Sequence, residues 1–259
     1  MQKILVTGAN GQLGKTIQKL HSNYPELEFI FTSTSELNIT DPQNIESVFK
    51  THKPDYCINC AAYTNVEQAE KVPEKAFAVN AEGVKNIALA CKSYGTTLIH
   101  ISTDYVFDGE KREPYTVDDV PNPINEYGKS KLVGENYIKE ILEKYFIVRT
   151  SWLYSKEFGK NFYRTILEKT KTEKEIFVTD QQTGCPTNAE SLTKYLIEII
   201  INNNKKYGIH HFSDGKVMTW YDFALSIIKE NNLTNTVKVV KAENYRTFAR
   251  RPKYSVLEV

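Results

Sequence analysis

Residues Lys3-Ile4-Leu5-Val6-Thr7, followed at once by Gly8-Ala9-Asn10-Gly11-Gln12-Leu13-Gly14, set how the rest of the chain is read. The first five are apolar and β-branched in the manner of a buried strand. Beyond the glycines, Leu13, Ile17 and Leu20 recur at helical spacing. Strand, glycine-rich turn and helix form the setting that a dinucleotide fingerprint requires. Gly8 permits a tight turn, Gly11 lets the backbone approach a pyrophosphate, and Gly14 lets helix and strand pack closely. The free N–H groups of the helix N-terminus then face the phosphates. The spacing is G-x-x-G-x-x-G rather than G-x-G-x-x-G, and an ordinary glycine-rich turn is the rival reading.

A second stretch, Tyr127-Gly128-Lys129-Ser130-Lys131, carries the chemistry. On a helix over 125–144, Tyr127 and Lys131 leave the same face one turn apart. A phenol titrates near ~10 and is a poor proton donor or acceptor at neutral pH. A neighbouring ammonium favours the phenolate and lowers that pKa. A hydroxyl from Thr103 can hold a substrate oxygen against the phenol, which gives general acid–base chemistry on a carbonyl or alcohol. Taken alone, Tyr-x-x-x-Lys also describes a solvated helix face. With a dinucleotide site at the other end of the chain, the pair gains its hydride carrier.

Four segments together resemble one family: Thr7-Gly8-x-x-Gly11-x-x-Gly14, Asn59-Cys60-Ala61-Ala62-Tyr63-Thr64, Ser102-Thr103-Asp104-Tyr105-Val106-Phe107-Asp108-Gly109 and Tyr127-x-x-x-Lys131. They resemble an extended short-chain dehydrogenase/reductase, more narrowly the dTDP-4-dehydrorhamnose reductases. Arg149-Thr150-Ser151-Trp152, Asp180-Gln181-x-x-Gly184-x-Pro186-Thr187 and Arg251-Pro252-x-x-Ser255-x-Leu257 extend the likeness almost end to end. The resemblance implies an α/β fold with a doubly wound, mostly parallel, Rossmann-like sheet. Residues 1–151 would bind NAD(P), and residues 152–259 would form mainly a smaller C-terminal α/β substrate lobe. It implies Thr103, Tyr127 and Lys131 as catalytic residues. The cofactor would lie along Gly8, Asn10, Gly11, Gln12, Leu13, Gly14, Asn38, Ile39, Ala61, Ala62, Tyr63, Thr64 and Ile101, with Tyr127 and Lys131. Val66, Thr103, Asp104 and Trp152 would meet the nucleotide-sugar substrate. A nucleotide-sugar epimerase and a non-catalytic subunit like that of methionine adenosyltransferase are the alternatives.

The second strand, Leu27 to Phe31, ends in Thr32-Ser33-Thr34-Ser35, then Glu36. An NAD site often carries an acidic residue near this point. The hydroxyls can bond a 2′-phosphate and no carboxylate repels it directly, which leans towards NADPH over NADH. A Ser/Thr-rich turn with no bearing on selectivity is the other reading. In the family an acidic residue before Ile39-Thr40-Asp41 contacts the adenine; here Asn38 stands there, with an amide carbonyl still able to accept.

The 259 residues, 41% of them apolar, suit one α/β domain with an appended lobe. With 33 basic against 32 acidic residues, nothing points to nucleic acid. No apolar run approaches the ~20 residues of a membrane span, and the chain enters its first strand without a signal peptide. Four cysteines are too few for a disulfide framework, so a reduced, cytoplasmic protein is expected. Cys57 and Cys60 point to opposite sides of a strand and read as small buried residues. His100, mid-strand between two isoleucines, reads as a satisfied core histidine. His210 and His211 face opposite ways and do not share a metal.

Further elements follow from pattern. Pro73 to Tyr94 is an expected long helix stopped by Gly95, with Asn80 inside it; the family carries an active-site support at this point. Thr97 to Ile101 is a strand delivering Ser102-Thr103-Asp104. Residues 108–125 form a long polar loop, a plausible substrate rim. Thr219-x-x-Asp222 resembles a capping box opening a helix over 220–230. Arg246, Arg250 and Arg251 either hold a substrate diphosphate or form a solvated basic tail. The family pattern continues for another helix past Leu257, so the chain reads as a short or C-terminally truncated member. Relatives that bind magnesium at a dimer contact use a carboxylate in the first helix. Here Lys15-Thr16 stand there, so no metal is carried over; a homodimer stays within the family's range.

Overall fold

The computed structural model describes residues 1–243 and 247–259. Strand β1 (Gln2–Thr7) runs into helix α1 (Gln12–Leu20), and β2 (Leu27–Thr32) into α2 (Pro42–His52). Asp41 caps α2 through two backbone N–H groups, with Pro42 at its first position. Then come β3 (Tyr56–Asn59), the short helices α3 (Val66–Lys71) and α4 (Pro73–Phe77), helix α5 (Val84–Tyr94), and β4 (Thr97–Thr103). Helix α6 (Glu126–Ile141) and β5 (Tyr145–Thr150) follow. The last third holds β6 (Leu153–Tyr154), α7 (Phe162–Lys169), β7 (Glu175–Val178), β8 (Thr183–Gly184), β9 (Thr187–Asn188) and α8 (Ala189–Ile201). It closes with β10 (Gly208–Phe212), β11 (Met218–Thr219), α9 (Trp220–Glu230) and β12 (Lys238–Lys241).

Six strands form one sheet in the order β10-β5-β4-β3-β1-β2, and every neighbouring pair is parallel. The fold is the doubly wound α/β architecture expected. Alternation along β1 sends Ile4 and Val6 to one face and Leu5 to the other. Ile4 and Val6 meet Leu13 and Ile17 of α1 and Leu192, Leu196 and Ile200 of α8. Leu5 meets Ile45 and Phe49 of α2, Val84 and Ile87 of α5, and Ile138 of α6. Both faces are therefore covered, which is why the strands read as continuous apolar runs. After β2 the chain crosses back over β1 to form β3, so the crevice at their carboxyl ends is the topological switch point, where such sheets take ligands.

A smaller lobe packs Tyr163 and Ile166 of α7 and Phe223 and Ile227 of α9 against Ile176, Val178 and Val239 of the parallel β7–β12 pair. Thr219 caps α9 with the reciprocal Asp222 bonds of a capping box, as the sequence suggests. The two bodies do not divide at a single point. Helix α8 and strand β10 come late in the chain yet complete the large sheet, β10 pairing with β5 from Gly208–Phe146 to Phe212–Thr150.

The helix expected over Pro73–Tyr94 is interrupted: residues Ala78–Gly83 take the wider π-helical turn. Such a turn lets one residue leave the helical register, a device common at functional sites; Asn80 is the buried residue it redirects. Strand β12 escaped the pattern reading. Helix α6 ends at Ile141 rather than Lys144, because β5 begins at Tyr145. Among the described residues no helix is long and apolar enough to cross a membrane.

Candidate active site

The glycine turn builds one side of the switch-point crevice. Gly8 sits at φ 63°, and a Cβ there would lie 2.7 Å from the Ala61 amide nitrogen, so only glycine lets this turn rest against the end of β3. A Cβ at Gly14 would lie 2.6 Å from Ala9 Cα, so the close packing there is between α1 and the turn itself. At Gly11 a Cβ would meet only Gly8 O at 3.1 Å; beyond it the space is open. Gly11 is also the N-cap of α1 and offers no side-chain cap, which leaves the first N–H groups of that helix facing outwards. An uncapped helix terminus behind a backbone-lined opening fits the diphosphate of a dinucleotide.

A cavity of about 400 Å³ opens beside this turn. Of the residues singled out from sequence, Gln12, Leu13, Ala62, Thr64, Val66, Ile101, Thr103, Asp104, Tyr127, Lys131 and Trp152 line it. Gly8, Asn10, Gly11 and Gly14 make up the adjoining turn and helix start instead. Ala61 and Tyr63 lie in the segment leading from β3 to the cavity. Asn38 and Ile39 lie beyond β2; Ile39 is buried against Gly83, where an added Cβ would come within 2.8 Å of it. The Asn38 carbonyl already accepts from the Thr40 amide (3.1 Å) and hydroxyl (2.9 Å), contrary to the expectation that it stays open to an adenine; its NH₂ group remains.

Asn80 ties the segment after β3 to α6. Its carbonyl accepts from Tyr63 N–H (2.8 Å), and its amide donates to Tyr63 O (3.0 Å) and Ser130 Oγ (3.0 Å). Replacing Asn80 by Ala removes three hydrogen bonds, two of them to the partly buried Tyr63 backbone, so a loss of about 2–3 kcal/mol in unfolding free energy is expected, measured by urea denaturation. Helix α6 approaches very closely here. A Cβ at Gly134 would fall 2.1 Å from Asn80 O, and one at Gly128 2.1 Å from Tyr105 O. Asn125 caps α6 through Gly128 N–H at 2.7 Å.

Tyr127 and Lys131 project together from α6 into the cavity, as the four-residue spacing requires. The Thr103 hydroxyl, at the end of β4, donates to Asp104 Oδ1 at 3.0 Å and accepts from Tyr105 N–H at 3.2 Å, beside the Tyr127 phenol. Burial pushes the Tyr127 phenol up to about 12, the Thr103 hydrogen bond opposing it. Burial lowers Lys131 to about 8, the Glu135 carboxylate opposing it. Burial raises Asp104 to about 7, against the hydroxyls of Ser255 and Thr103. The expectation that Lys131 pulls the Tyr127 pKa down is therefore not met. Desolvation dominates, and Lys131 Nζ donates to Ile101 O (2.7 Å) and reaches His100 Nε2 (3.2 Å) instead.

Beneath the site lies an ion pair that sequence reading missed. Glu135 and Arg149 have side-chain exposures of 0% and 1%. Arg149 Nε and Nη2 donate to the two carboxylate oxygens at 3.0 and 2.7 Å, and Ser102 Oγ donates to Oε1 at 2.5 Å. The guanidinium lies 5.1 Å from the centre of the Phe107 ring.

The opposite wall is aromatic. Trp152 takes φ 46°, unusual for a bulky residue. It stacks on Trp220 with centroids 3.5 Å apart and planes 7° apart, and Phe162 packs on Trp220 at 4.5 Å. Gly184 makes room, since a Cβ there would meet the Trp152 indole at 2.7 Å. Trp220 and Phe162 carried no functional signal in the sequence, where both sit at helix starts. Gln12 crosses between the bodies, donating to Leu153 O (3.1 Å) and accepting from Asn161 Nδ2 (2.6 Å). Cys60 lines the cavity and packs on the edge of the core, while Cys57 and Cys91 are fully buried; all four cysteines are free.

At the end of β2, Glu36 folds back and accepts from Ser33 N–H and Oγ, each at 2.7 Å. Those bonds lower its pKa, so the turn carries a negative charge and the Ser33 hydroxyl is committed, against the expectation that the hydroxyls are open to a 2′-phosphate with no carboxylate directly beside them. Of the arginines, Arg251 pairs with Glu67 at 2.6 Å, Arg250 is exposed, and Arg246 lies outside the described residues. The Arg251-Pro252-x-x-Ser255-x-Leu257 element straps the site. Leu257 packs with Val106, Phe107 and Tyr115, and the Ser255 hydroxyl reaches Asp104.

Comparison with known proteins bears on the family and the fold. A dTDP-4-dehydrorhamnose reductase of Aggregatibacter actinomycetemcomitans is 38% identical over 269 residues, covering 100% of this chain and 91% of its own length. The crystal structure of a dTDP-4-dehydrorhamnose reductase of Clostridium acetobutylicum superposes with TM-score 0.93 at 43% identity, over 99% of this chain and 90% of that one. One from Bacillus anthracis, solved in complex with NADP, gives TM-score 0.94 at 40% identity, over 100% and 90%. The model of the RmlD substrate binding domain matches residues 1–259, and the chain belongs to that family.

Proposed function

We propose that the protein is an NAD(P)H-dependent oxidoreductase that reduces the C4 keto group of dTDP-4-dehydro-6-deoxy-L-mannose to give dTDP-L-rhamnose, a precursor of cell-surface polysaccharide. The observation that carries this reading is Thr103, Tyr127 and Lys131 converging in a cavity that opens beside an uncapped glycine turn. The nicotinamide cofactor, when bound, supplies a hydride to C4. Tyr127 holds its proton at neutral pH and gives it to the developing alkoxide. Thr103 positions the carbonyl oxygen. The Lys131 ammonium holds the ribose next to the nicotinamide.

The remaining assignments belong to the same proposal. Gly8, Asn10, Gly11, Gln12, Leu13 and Gly14 hold the diphosphate, Asn38 and Ile39 flank the adenine, and Ala61, Ala62, Tyr63, Thr64 and Ile101 line the cofactor's path. Val66, Asp104 and the Trp152–Trp220 wall take the sugar, an aromatic face suiting the apolar side of a deoxy-hexose. Residues 1–151, completed by α8 and β10, form the cofactor body, and the rest of the last third forms the substrate lobe.

Loss of reduced-nicotinamide absorbance with dTDP-4-dehydro-6-deoxy-L-mannose, measured in parallel with NADPH and NADH, tests the proposal. Turnover supports it and ranks the cofactors; no turnover in folded, cofactor-binding protein overturns it. The profile of kcat/KM is expected to fall above about pH 8, as Lys131 loses the proton its role requires. Stability runs the other way. Unfolded lysine still holds its proton between about 8 and its ordinary value of 10.5, so this group's contribution rises with pH across that window.

A further inference from the structure

Lys131 does not stand alone in its pocket. Behind it, Thr7, Asn59 and His100 form a chain of buried side chains running from the glycine turn, across β1, β3 and β4, to the lysine amine. Thr7 Oγ1 lies 2.6 Å from Asn59 Oδ1, the Asn59 amide 3.1 Å from His100 Nδ1, and His100 Nε2 3.2 Å from Lys131 Nζ. Thr7 and His100 are 0% exposed, and Asn59 1%, so no water competes for these bonds. The histidine is satisfied, as its sequence position suggests, but its partner is the active-site lysine.

We propose that His100 is a positioning residue for Lys131, and that the Thr7–Asn59–His100 chain stays hydrogen-bonded in either charge state of the lysine by reversing its direction. This rests on the reductase reading given above. An ammonium has only donors, so with Lys131 charged its N–H points at a bare Nε2. The ring proton then sits on Nδ1 and is accepted by the Asn59 carbonyl, the amide nitrogen turning towards Thr7 Oγ1. With Lys131 neutral, Thr7 O–H donates to Asn59 Oδ1, Asn59 N–H to Nδ1, and Nε2–H to the lysine lone pair. The amide orientation, the Thr7 hydroxyl and one ring proton change together, and the amide, the ring and the lysine keep a partner in both states, as a buried polar chain requires. An aliphatic residue at 100 leaves the ammonium with Ile101 O as its protein acceptor.

The charged neighbours do not substitute for the ring. The Cys60 thiol faces Lys131 from the end of β3, with its pKa raised by burial, and Glu135 on the same helix is taken up by Arg149 and Ser102. Tyr127 and Asp104 line the cavity on the far side, Asp104 accepting from the Thr103 hydroxyl. His100 itself is faced by Asn59 and Lys131, and burial with the lysine charge holds its pKa well below the ordinary value, keeping it neutral.

The test uses full-length protein with His100→Leu and His100→Gln. His100→Leu is expected to move the alkaline limb of kcat/KM to lower pH by about one unit, the effect of one lost bond to a charged group. His100→Gln, which restores an acceptor, is expected to bring the limb back. A folded His100→Leu with reduced activity but an unmoved limb overturns the proposal, because a merely structural histidine would behave so. An independent readout is the ring ¹⁵N spectrum of the unsubstituted protein. The His100 signal is expected in the Nδ1-protonated form below the lysine transition and the Nε2-protonated form above it. An Nε2 proton at every pH overturns the proposal even if neither variant folds. Since the spectrum needs no turnover, failure of the reductase reading and failure of this inference are distinguishable.

Discussion

Replacing Tyr127 by Phe is expected to remove nearly all turnover while leaving cofactor binding unchanged. The substitution takes away one oxygen and keeps the ring, its edge contact with Tyr105 at 5.9 Å, and the packing of α6. What goes is the proton donor. A positioned acid contributes about 10²–10⁴-fold, so kcat should drop by about a thousandfold. The high pKa of the buried phenol sharpens the argument: it keeps the group loaded at neutral pH for reduction, whereas an enzyme working mainly in the oxidising direction would want the phenolate. Binding of NADPH, followed through quenching of Trp152 and Trp220 (the chain's two tryptophans, both lining the cavity), should match the parent protein. Near-normal turnover would show that protons come from another group.

The largest loss of stability is expected from Arg149→Leu. Glu135 would keep the Ser102 hydroxyl but lose both bonds from the guanidinium, leaving a carboxylate in a fully buried site. Breaking one partner of a buried pair costs about 3–5 kcal/mol, against a total stability of about 5–15 kcal/mol for a typical domain. The double variant Arg149→Leu/Glu135→Leu should recover much of that loss, since no charge is left stranded. Urea midpoints of the two variants decide it. Equal destabilisation would mean that Arg149 matters for its packing on Phe107 rather than for its charge. The double variant should still lose activity at alkaline pH earlier than the parent, because the Glu135 charge helps Lys131 keep its proton.

What could be read from sequence was whatever depends on local pattern. The apolar runs of β1, β3, β4 and β5, the Asp41-Pro42 and Thr219-x-x-Asp222 starts, and the four-residue spacing of Tyr127 and Lys131 each determine geometry over a few residues. What could not be read depends on contacts between distant segments. Nothing in Gly208–Phe212 announces that it pairs with β5 rather than within the small lobe. Trp220 looks like any helix-opening residue until Trp152 stacks on it. The direction of the Tyr127 shift is decided by burial, which has no sequence signature, and not by the lysine four residues on. The π turn at Ala78–Gly83 exists because Asn80 is needed by Tyr63 and Ser130, a demand made from outside its own helix. Glu36 folds back onto Ser33 through bonds that composition does not disclose.

The strap made by Arg251–Leu257 has a consequence for the order in which the molecule assembles. Asn125, whose side chain caps the helix bearing Tyr127, also donates to Arg250 O across 125 positions of sequence, and Glu67 accepts from Ala249 N–H across 182. Ser255 N–H donates to Thr183 O, and Tyr115 and Leu257 form a bridge. During synthesis the sheet from β1 to β5 can form early, and the dinucleotide crevice with it. The Asp104 surroundings and the far wall wait until this last stretch has left the ribosome. Contacts of such long sequence separation form slowly. The nascent protein should therefore acquire a cofactor site well before it acquires a working one, and a bound dinucleotide would be present to brace the sheet while the remainder docks.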